Sequence, residues 1–281
     1  MRTAAGPQVE YAEPYFTDGR QGGYDFESAF AQAHDAARFL PELRKLEAAG
    51  LRGRVLDVGC ATGSFLGHAQ RRGWTVAGVE PARYARETAE RRLGVPVAAS
   101  LDALPVGARF EVVTLHHVLE HVDEPLEFVG DGLRRRVGRR LLVEVPNFGS
   151  AGARVRGSSW RDLRPDQHRW HFDRATLPDL LRRAGYRPIS VYTLWEPLWS
   201  LRALRELLVQ LCGLAMAPGV TAASEPAPAP EDSGAYFPPR GMKRALVEFT
   251  RLACRPLVRT LEGAGLGERL VVEAEPEGSA G

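Results

Sequence analysis

Residues 55–65 read VLDVGCATGSF, and the fold of the chain turns on them. An apolar, β-branched run carries one carboxylate, Asp57. A tight turn follows, with Gly59 and Gly63 four apart, and then a helical stretch begins at Ser64. Strand, glycine turn and helix in that order open a doubly wound α/β sheet, in which ligands sit at the carboxyl ends of the strands.

The ligand class follows from charge and spacing. A dinucleotide lays its pyrophosphate over the helix N-terminus and calls for G-x-G-x-x-G without a nearby acid. Here Gly59, Gly63 and Gly67 are evenly four apart and Asp57 sits beside the turn. S-adenosylmethionine carries no phosphate; its ammonium and sulfonium favour a neighbouring carboxylate. It is the expected cofactor, and a nicotinamide oxidoreductase is the rival that the glycine spacing disfavours.

Outward from this stretch, strand-like and helical segments alternate. RVLDVG, TVAGVE, VPVAAS, FEVVTLHHV, RLLVEVPN and RPISVYTLW read as strands, separated by the helical SFLGHAQRRG, ARYARETAERRLG and EPLEFVGDGLRRRVG. That alternation predicts a parallel sheet with helices on both faces. A helix is expected over about 27–49, with Phe30, Ala33, Ala37, Leu40 and Leu43 on its apolar side and Pro41 as a point for a kink. Another is expected from Thr176, read as its N-cap with Asp179 three residues on. ERLVVEAEP, near the end, reads as an isolated strand.

Composition narrows the function classes. With 281 residues, 44% hydrophobic and 26% charged, the chain is an ordinary globular protein. A net charge of +2 gives no electrostatic case for nucleic acid. The arginines at 134, 135, 136, 139 and 140 read as a solvated helix end. Cys60, Cys212 and Cys254 are too scattered for a disulfide framework. The sequence shows neither a secretory leader nor a run of about 18 uncharged apolar residues, so a cytoplasmic protein is expected.

VLDVGCATGSFL, VAGVEPA, FEVVTLHHVLEHVDEP and LLVEVPNFGS together resemble the class I S-adenosylmethionine-dependent methyltransferases. Within these, the group around the ubiquinone-biosynthesis O-methyltransferases and their natural-product relatives is the nearest in appearance. The resemblance spans about residues 50–195 and the terminal strand. It implies a Rossmann-like, doubly wound, seven-stranded α/β sheet whose last strand is antiparallel. It divides the chain into an aromatic lead and helical lid (1–50), the cofactor-binding core (51–196), a helical insertion with a Pro/Ala-rich linker (197–267) and the last strand and tail (268–281). Cofactor contacts are expected from Asp57, Gly59, Cys60, Gly63, Glu80, Pro81, Ser100, Leu101 and His116. Of these, Glu80 is placed to accept from the ribose hydroxyls, Ser100 and Leu101 to frame the adenine, and Cys60 to pack in the turn.

The acceptor side is rich in histidine. His116, His117 and His121 follow the fourth strand, and His168 and His171 lie in the loop after the fifth. Removal of a proton from an acceptor hydroxyl suits an imidazole, so His117, His121 and His168 are the candidate catalytic residues. HVLEH, residues 117–121, also matches the H-x-x-E-H pattern of inverted zinc proteases. Its place after a methyltransferase-like strand, with Pro125 close behind, argues against that reading. Some of the ubiquinone O-methyltransferases carry E-x-x-E-H here and use a divalent cation; His117 stands where their first Glu would be, and no metal is expected. Trp160, Trp170 and Phe172, with Tyr11, Tyr15, Phe16 and Tyr24, read partly as packing and partly as walls of an apolar acceptor pocket.

The expected function is methyl transfer to a small-molecule or glycan acceptor at oxygen, in a setting of secondary metabolism. N- or C-methylation of a natural product, or cofactor binding without turnover, are the alternatives. The amphipathic insertion is read as packing on the core, with a homodimer surface or a shallow membrane contact as its other readings.

Overall fold

The computed structural model describes residues 29–195 and 255–278. The aromatic lead with Tyr11, Tyr15, Phe16 and Tyr24, and most of the insertion, lie outside those residues. Strands β1 (Arg54–Val58), β2 (Thr75–Val79), β3 (Val97–Ala98), β4 (Phe110–His116), β5 (Val137–Pro146), β6 (Tyr186–Leu194) and β7 (Arg269–Pro276) form one sheet, ordered β3-β2-β1-β4-β5-β7-β6. β1 to β5 pair in parallel, and β7 runs antiparallel between β5 and β6. This is the expected seven-stranded Rossmann-like sheet. The order reverses at β1, which separates β2 from β4, and opens a crevice at their carboxyl ends.

Around β1 and β4 both faces are apolar and covered, as parallel strands require. Helices α1 (Ala29–Ala48), α2 (Ser64–Arg71) and α3 (Arg83–Leu93) cover one, over Leu43, Val55, Phe65, Leu66, Leu93 and Val112. A short α4 (Pro125–Glu127), its π-helical continuation Phe128–Leu133, and α6 (Thr176–Arg183) cover the other, over Leu56, Leu115, Val143, Leu181, Tyr186 and Val272. Tyr186 is fully buried there, and its hydroxyl donates to the Val129 carbonyl at 3.2 Å. Helix α5 (Ala151–Arg156) sits in the loop after β5.

Five local readings are corrected. The third strand shrinks to two residues, bounded by Pro96 and the bend at Ala99 and Ser100. The helix after Pro125 widens to π geometry at FVGDGL, whose two glycines hold helix poorly. Thr176 is not the N-cap of α6: Asp173 accepts the N–H groups of Ala175 and Thr176, while the Thr176 hydroxyl accepts the Asp173 N–H. The arginine run is divided, because Arg139 and Arg140 belong to β5. Arg140 is buried against Glu273 at 2.8 Å and also meets Glu275 at 3.2 Å.

The fifth correction is on α1. It runs through Pro41 without a break, and its buried apolar side chains among the described ones are Phe39, Leu43 and Leu46 rather than Ala37 and Leu40. The side chains of Phe30 and Ala33 are outside the described ones. Beside the apolar stripe runs a polar row at helical spacing: Asp35, Arg38, Glu42 and Lys45. They meet Ser64, Glu144, His116 and Glu273 respectively. This row ties α1 to the start of α2, to the carboxyl-terminal parts of β4 and β5, and to the middle of β7.

Gly59 shows why the opening turn needs glycine. Its φ is +74°, and a Cβ built there falls 2.5 Å from the Val118 Cγ2 atom. Gly59→Ala is expected to lose about 1–2 kcal/mol from backbone strain alone, with displacement of Val118 in addition. Denaturant titration checks this; an unchanged midpoint contradicts it.

Candidate active site

The turn after β1 is held from two sides. The Gly59 and Cys60 N–H groups both donate to the Val79 carbonyl, at 2.7 and 3.1 Å. Glu80, just past β2, accepts from the Ala61 N–H at 2.9 Å through Oε2 and from the Ala82 N–H at 2.8 Å through Oε1. Burial pushes its carboxyl pKa up, and the two N–H donors work the other way. A carboxylate has about four lone-pair sites, so each oxygen keeps capacity for a further donor. Gly63, at φ +77°, opens α2. The Thr62 hydroxyl in this turn is buried with no hydrogen-bond partner among the described residues.

Asp57, at 3% exposure, accepts from the Thr114 hydroxyl at 2.7 Å and lies 3.2 Å from His116 Nδ1. The other His116 nitrogen meets Glu42 of α1 at 3.0 Å, and Phe39 and Phe65 pack against the ring. Burial opposes a charge on this imidazole, but Glu42 and Asp57 outweigh it and hold its pKa at about 10. The unfolded value is about 6.5. His116 therefore contributes stability that is complete below about pH 6.5 and is lost as the pH rises through 10. Between pH 7 and 10 the unfolding free energy of the native chain is expected to fall more steeply than that of His116→Gln. Parallel slopes contradict the assignment.

Cys60 is buried. Desolvation, with Asp57 and Glu80 adding to it, drives its thiol pKa up, so it packs as a neutral thiol. Pro81 follows Glu80, and Ser100 and Leu101 follow β3. Leu101 begins a short 3₁₀ turn whose first carbonyl accepts from Arg136 at 2.9 Å. The cofactor-side residues named from the sequence thus lie along the carboxyl ends of β1, β2, β3 and β4.

Past β4 the backbone turns sharply at His117, whose φ is +55°. Its ring lies 3.2 Å from Glu120 and 3.1 Å from Glu144. Burial works against its charge, but the two carboxylates prevail and raise its pKa to about 8. Glu144, on β5, also receives Arg38 at 2.6 Å and Arg269 at 3.1 Å, and its carboxyl pKa is well below the usual range despite burial. Glu42, Arg38, Glu144 and Arg269 belong to this site although no sequence motif marks them. The signal was present in Glu144, a lone acid inside LLVEVP just as Asp57 is a lone acid inside VLDV.

The second histidine group closes on the first. The Glu120 carbonyl accepts the N–H groups of Arg169 and Trp170, at 2.8 and 3.2 Å, so the loop after β5 is tied to the turn after β4. The rings of His121 and His168 lie 4.9 Å apart, and that of His171 is 6.3 Å from His168. Phe148 stacks on His171 at 5.4 Å, and Trp160 flanks both. Phe172 is in the core, and Trp170 is anchored by its indole N–H to the Asp123 carbonyl at 3.2 Å. Burial lowers the His168 pKa to about 4. Glu120, His121 and His168 each bring a ligating atom within 4.8 Å of the others, a grouping that could hold a metal ion.

A Rossmann-like sheet with its last strand antiparallel, and a glycine turn set between carboxylates on β1 and just past β2, define a class I S-adenosylmethionine-dependent methyltransferase. The chain belongs to the methyltransferase-domain family, whose profile matches residues 30–191. Among solved structures it is similar to an S-adenosylmethionine-dependent methyltransferase of Archaeoglobus fulgidus: 18% identity, 94% of this chain and 97% of that one, TM-score 0.50. It is also similar to a Thermotoga maritima methyltransferase described as a possible histamine N-methyltransferase: 18% identity, 86% of this chain and 91% of that one, TM-score 0.51. At such identities the likeness establishes the fold. No curated protein sequence matches the chain. Among the described residues no helix is long and apolar enough to cross a membrane.

Proposed function

We propose that this methyltransferase acts at a hydroxyl of a small molecule or glycan bound in the histidine-lined crevice beside the cofactor turn. The observation that carries the reading is the convergence of His117, His121 and His168 where the turn after β4 meets the loop after β5. In this reading residues 51–196 and 268–281 form the catalytic core.

The donor set of the turn fits the cofactor. Glu80 retains acceptor capacity for a ribose diol, Asp57 supplies negative charge toward the methionine ammonium, and Thr62 offers a buried hydroxyl. Gly59, Cys60 and Gly63 bring the backbone close, while Pro81, Ser100, Leu101 and His116 line the rest. When bound, S-adenosylmethionine supplies an electrophilic methyl on a cationic sulfur. The chain's own residues then hold an acceptor oxygen in line with that methyl, and positioning of this kind supplies much of the rate. His117, cationic below about pH 8, balances the buried acids Glu120 and Glu144. As the methyl–sulfur bond breaks and the carbon–oxygen bond forms, the hydroxyl proton passes to an imidazole of the acceptor side, His121 or His168.

The test is transfer from S-adenosylmethionine to a panel of phenols, sugars and matched amines, read by mass spectrometry of the methylated product. Transfer to hydroxyls is expected. Transfer confined to amines, or cofactor binding with no product across the panel, contradicts the oxygen reading.

A further inference from the structure

We infer that Glu42 of α1 is a positioning residue for the cofactor: acting through His116, it keeps the negative charge of Asp57 available to the methionine ammonium. The inference rests on the place proposed above for that ammonium, beside Asp57. Its basis is a chain of three buried side chains drawn from α1, β4 and β1. Glu42 Oε1 lies 3.0 Å from His116 Nε2, and His116 Nδ1 lies 3.2 Å from Asp57 Oδ1. The side chains of Glu42, His116 and Asp57 are 8%, 7% and 4% exposed, so water screens the chain little. Carboxylates only accept hydrogen bonds, so both ring nitrogens donate and the ring is an imidazolium.

Charge counting gives Glu42 its role. An imidazolium beside Asp57 cancels the charge that a cationic ligand group needs. Glu42 places a second carboxylate on the far ring nitrogen, so the three groups together keep one net negative charge. Asp57 also keeps an oxygen for the ligand. Its bonds from the Thr114 hydroxyl and from His116 both fall on Oδ1, and Oδ2 takes none among the described residues. Phe39 and Phe65 pack on the imidazole with centroids 5.4 and 4.8 Å away, which fixes the ring between its two carboxylates.

The other titratable groups around the ring are engaged elsewhere. Glu144, beside His116 on β5, meets Arg38, Arg269 and His117. Lys45 of α1 pairs with Glu273, and His68 of α2 meets Arg71 at 3.0 Å. Tyr192 of β6 stays neutral, because burial raises its hydroxyl pKa and Glu42 adds to that. Burial by itself lowers the His116 pKa, and Glu42 and Asp57 hold it at about 10. Loss of Glu42 therefore brings the ring's titration down toward the ordinary value of about 6.5.

The experiment is calorimetric titration of full-length native protein and Glu42→Gln with S-adenosylhomocysteine and with methylthioadenosine. The second ligand keeps the adenosine and the sulfur but lacks the ammonium and carboxylate. Measurements span about pH 5.5 to 8.5, across the ordinary imidazole range. At the acid end the variant is expected to bind S-adenosylhomocysteine about tenfold more weakly than the native protein. That ratio is expected to fall toward unity as the pH rises and the variant's His116 loses its proton. For methylthioadenosine the ratio is expected to stay near unity throughout. Taking ratios removes the ligand's own ionisation, which is common to both proteins. A ratio for S-adenosylhomocysteine that does not change with pH overturns the role. So does an equal weakening of methylthioadenosine, the result that loosened packing of α1 produces. Ring-labelled histidine NMR of the native protein needs no variant: His116 is expected to be cationic at about pH 8, and a neutral ring there overturns the inference. Native protein that binds neither ligand overturns the cofactor reading and the inference with it.

Discussion

Glu144→Leu is expected to destabilise the fold by about 3–5 kcal/mol, the cost of removing one side of a buried charge cluster. Three cations converge on this carboxylate: Arg38 of α1, Arg269 of β7 and His117 of the turn after β4. Leucine matches the strand but leaves Arg269, 9% exposed at its side chain, without its carboxylate. Chemical denaturation of the two proteins measures the difference. A loss below about 1 kcal/mol, the range of exposed ion pairs, contradicts the view that Glu144 joins α1, β5 and β7.

The second large effect concerns the cofactor. Glu80→Ala is expected to weaken S-adenosylmethionine binding by about 1–3 kcal/mol, the usual loss on deleting a charged hydrogen-bond acceptor. In dissociation constants that is roughly fivefold to 150-fold. The same change frees the Ala61 and Ala82 N–H groups that Glu80 accepts, so a melting curve must accompany the titration. A folded Glu80→Ala protein with an unchanged dissociation constant contradicts the ribose assignment.

Strand–helix alternation, the glycine turn and the isolated last strand were readable because each rests on local pattern: β-branched runs, glycine punctuation and period; the antiparallel setting of that strand came only with the family resemblance. The misreadings fall where tertiary contact outweighs local preference. Leu40 and Ala37 fit an apolar stripe, yet α1 meets strand ends bearing Asp57, His116 and Glu144, so a polar row shares its buried side. Arg140 sits in a run of arginines that looks solvated, but strand alternation turns it toward Glu273. Thr176 matches a capping pattern, while Asp173, three residues earlier, takes the N–H groups of Ala175 and Thr176 at the helix start. The pairing of Glu120 with His168 depends on a loop closing across 48 residues, and no local period records that.

The central claim is that the turn at 59–63, with Asp57 and Glu80 beside it, holds S-adenosylmethionine. Its most direct test is calorimetric titration of folded, ligand-free protein with S-adenosylmethionine, S-adenosylhomocysteine and NAD. Saturable binding of both adenosyl ligands and none of NAD is the predicted result. Binding of NAD, or silence from both adenosyl ligands, contradicts it.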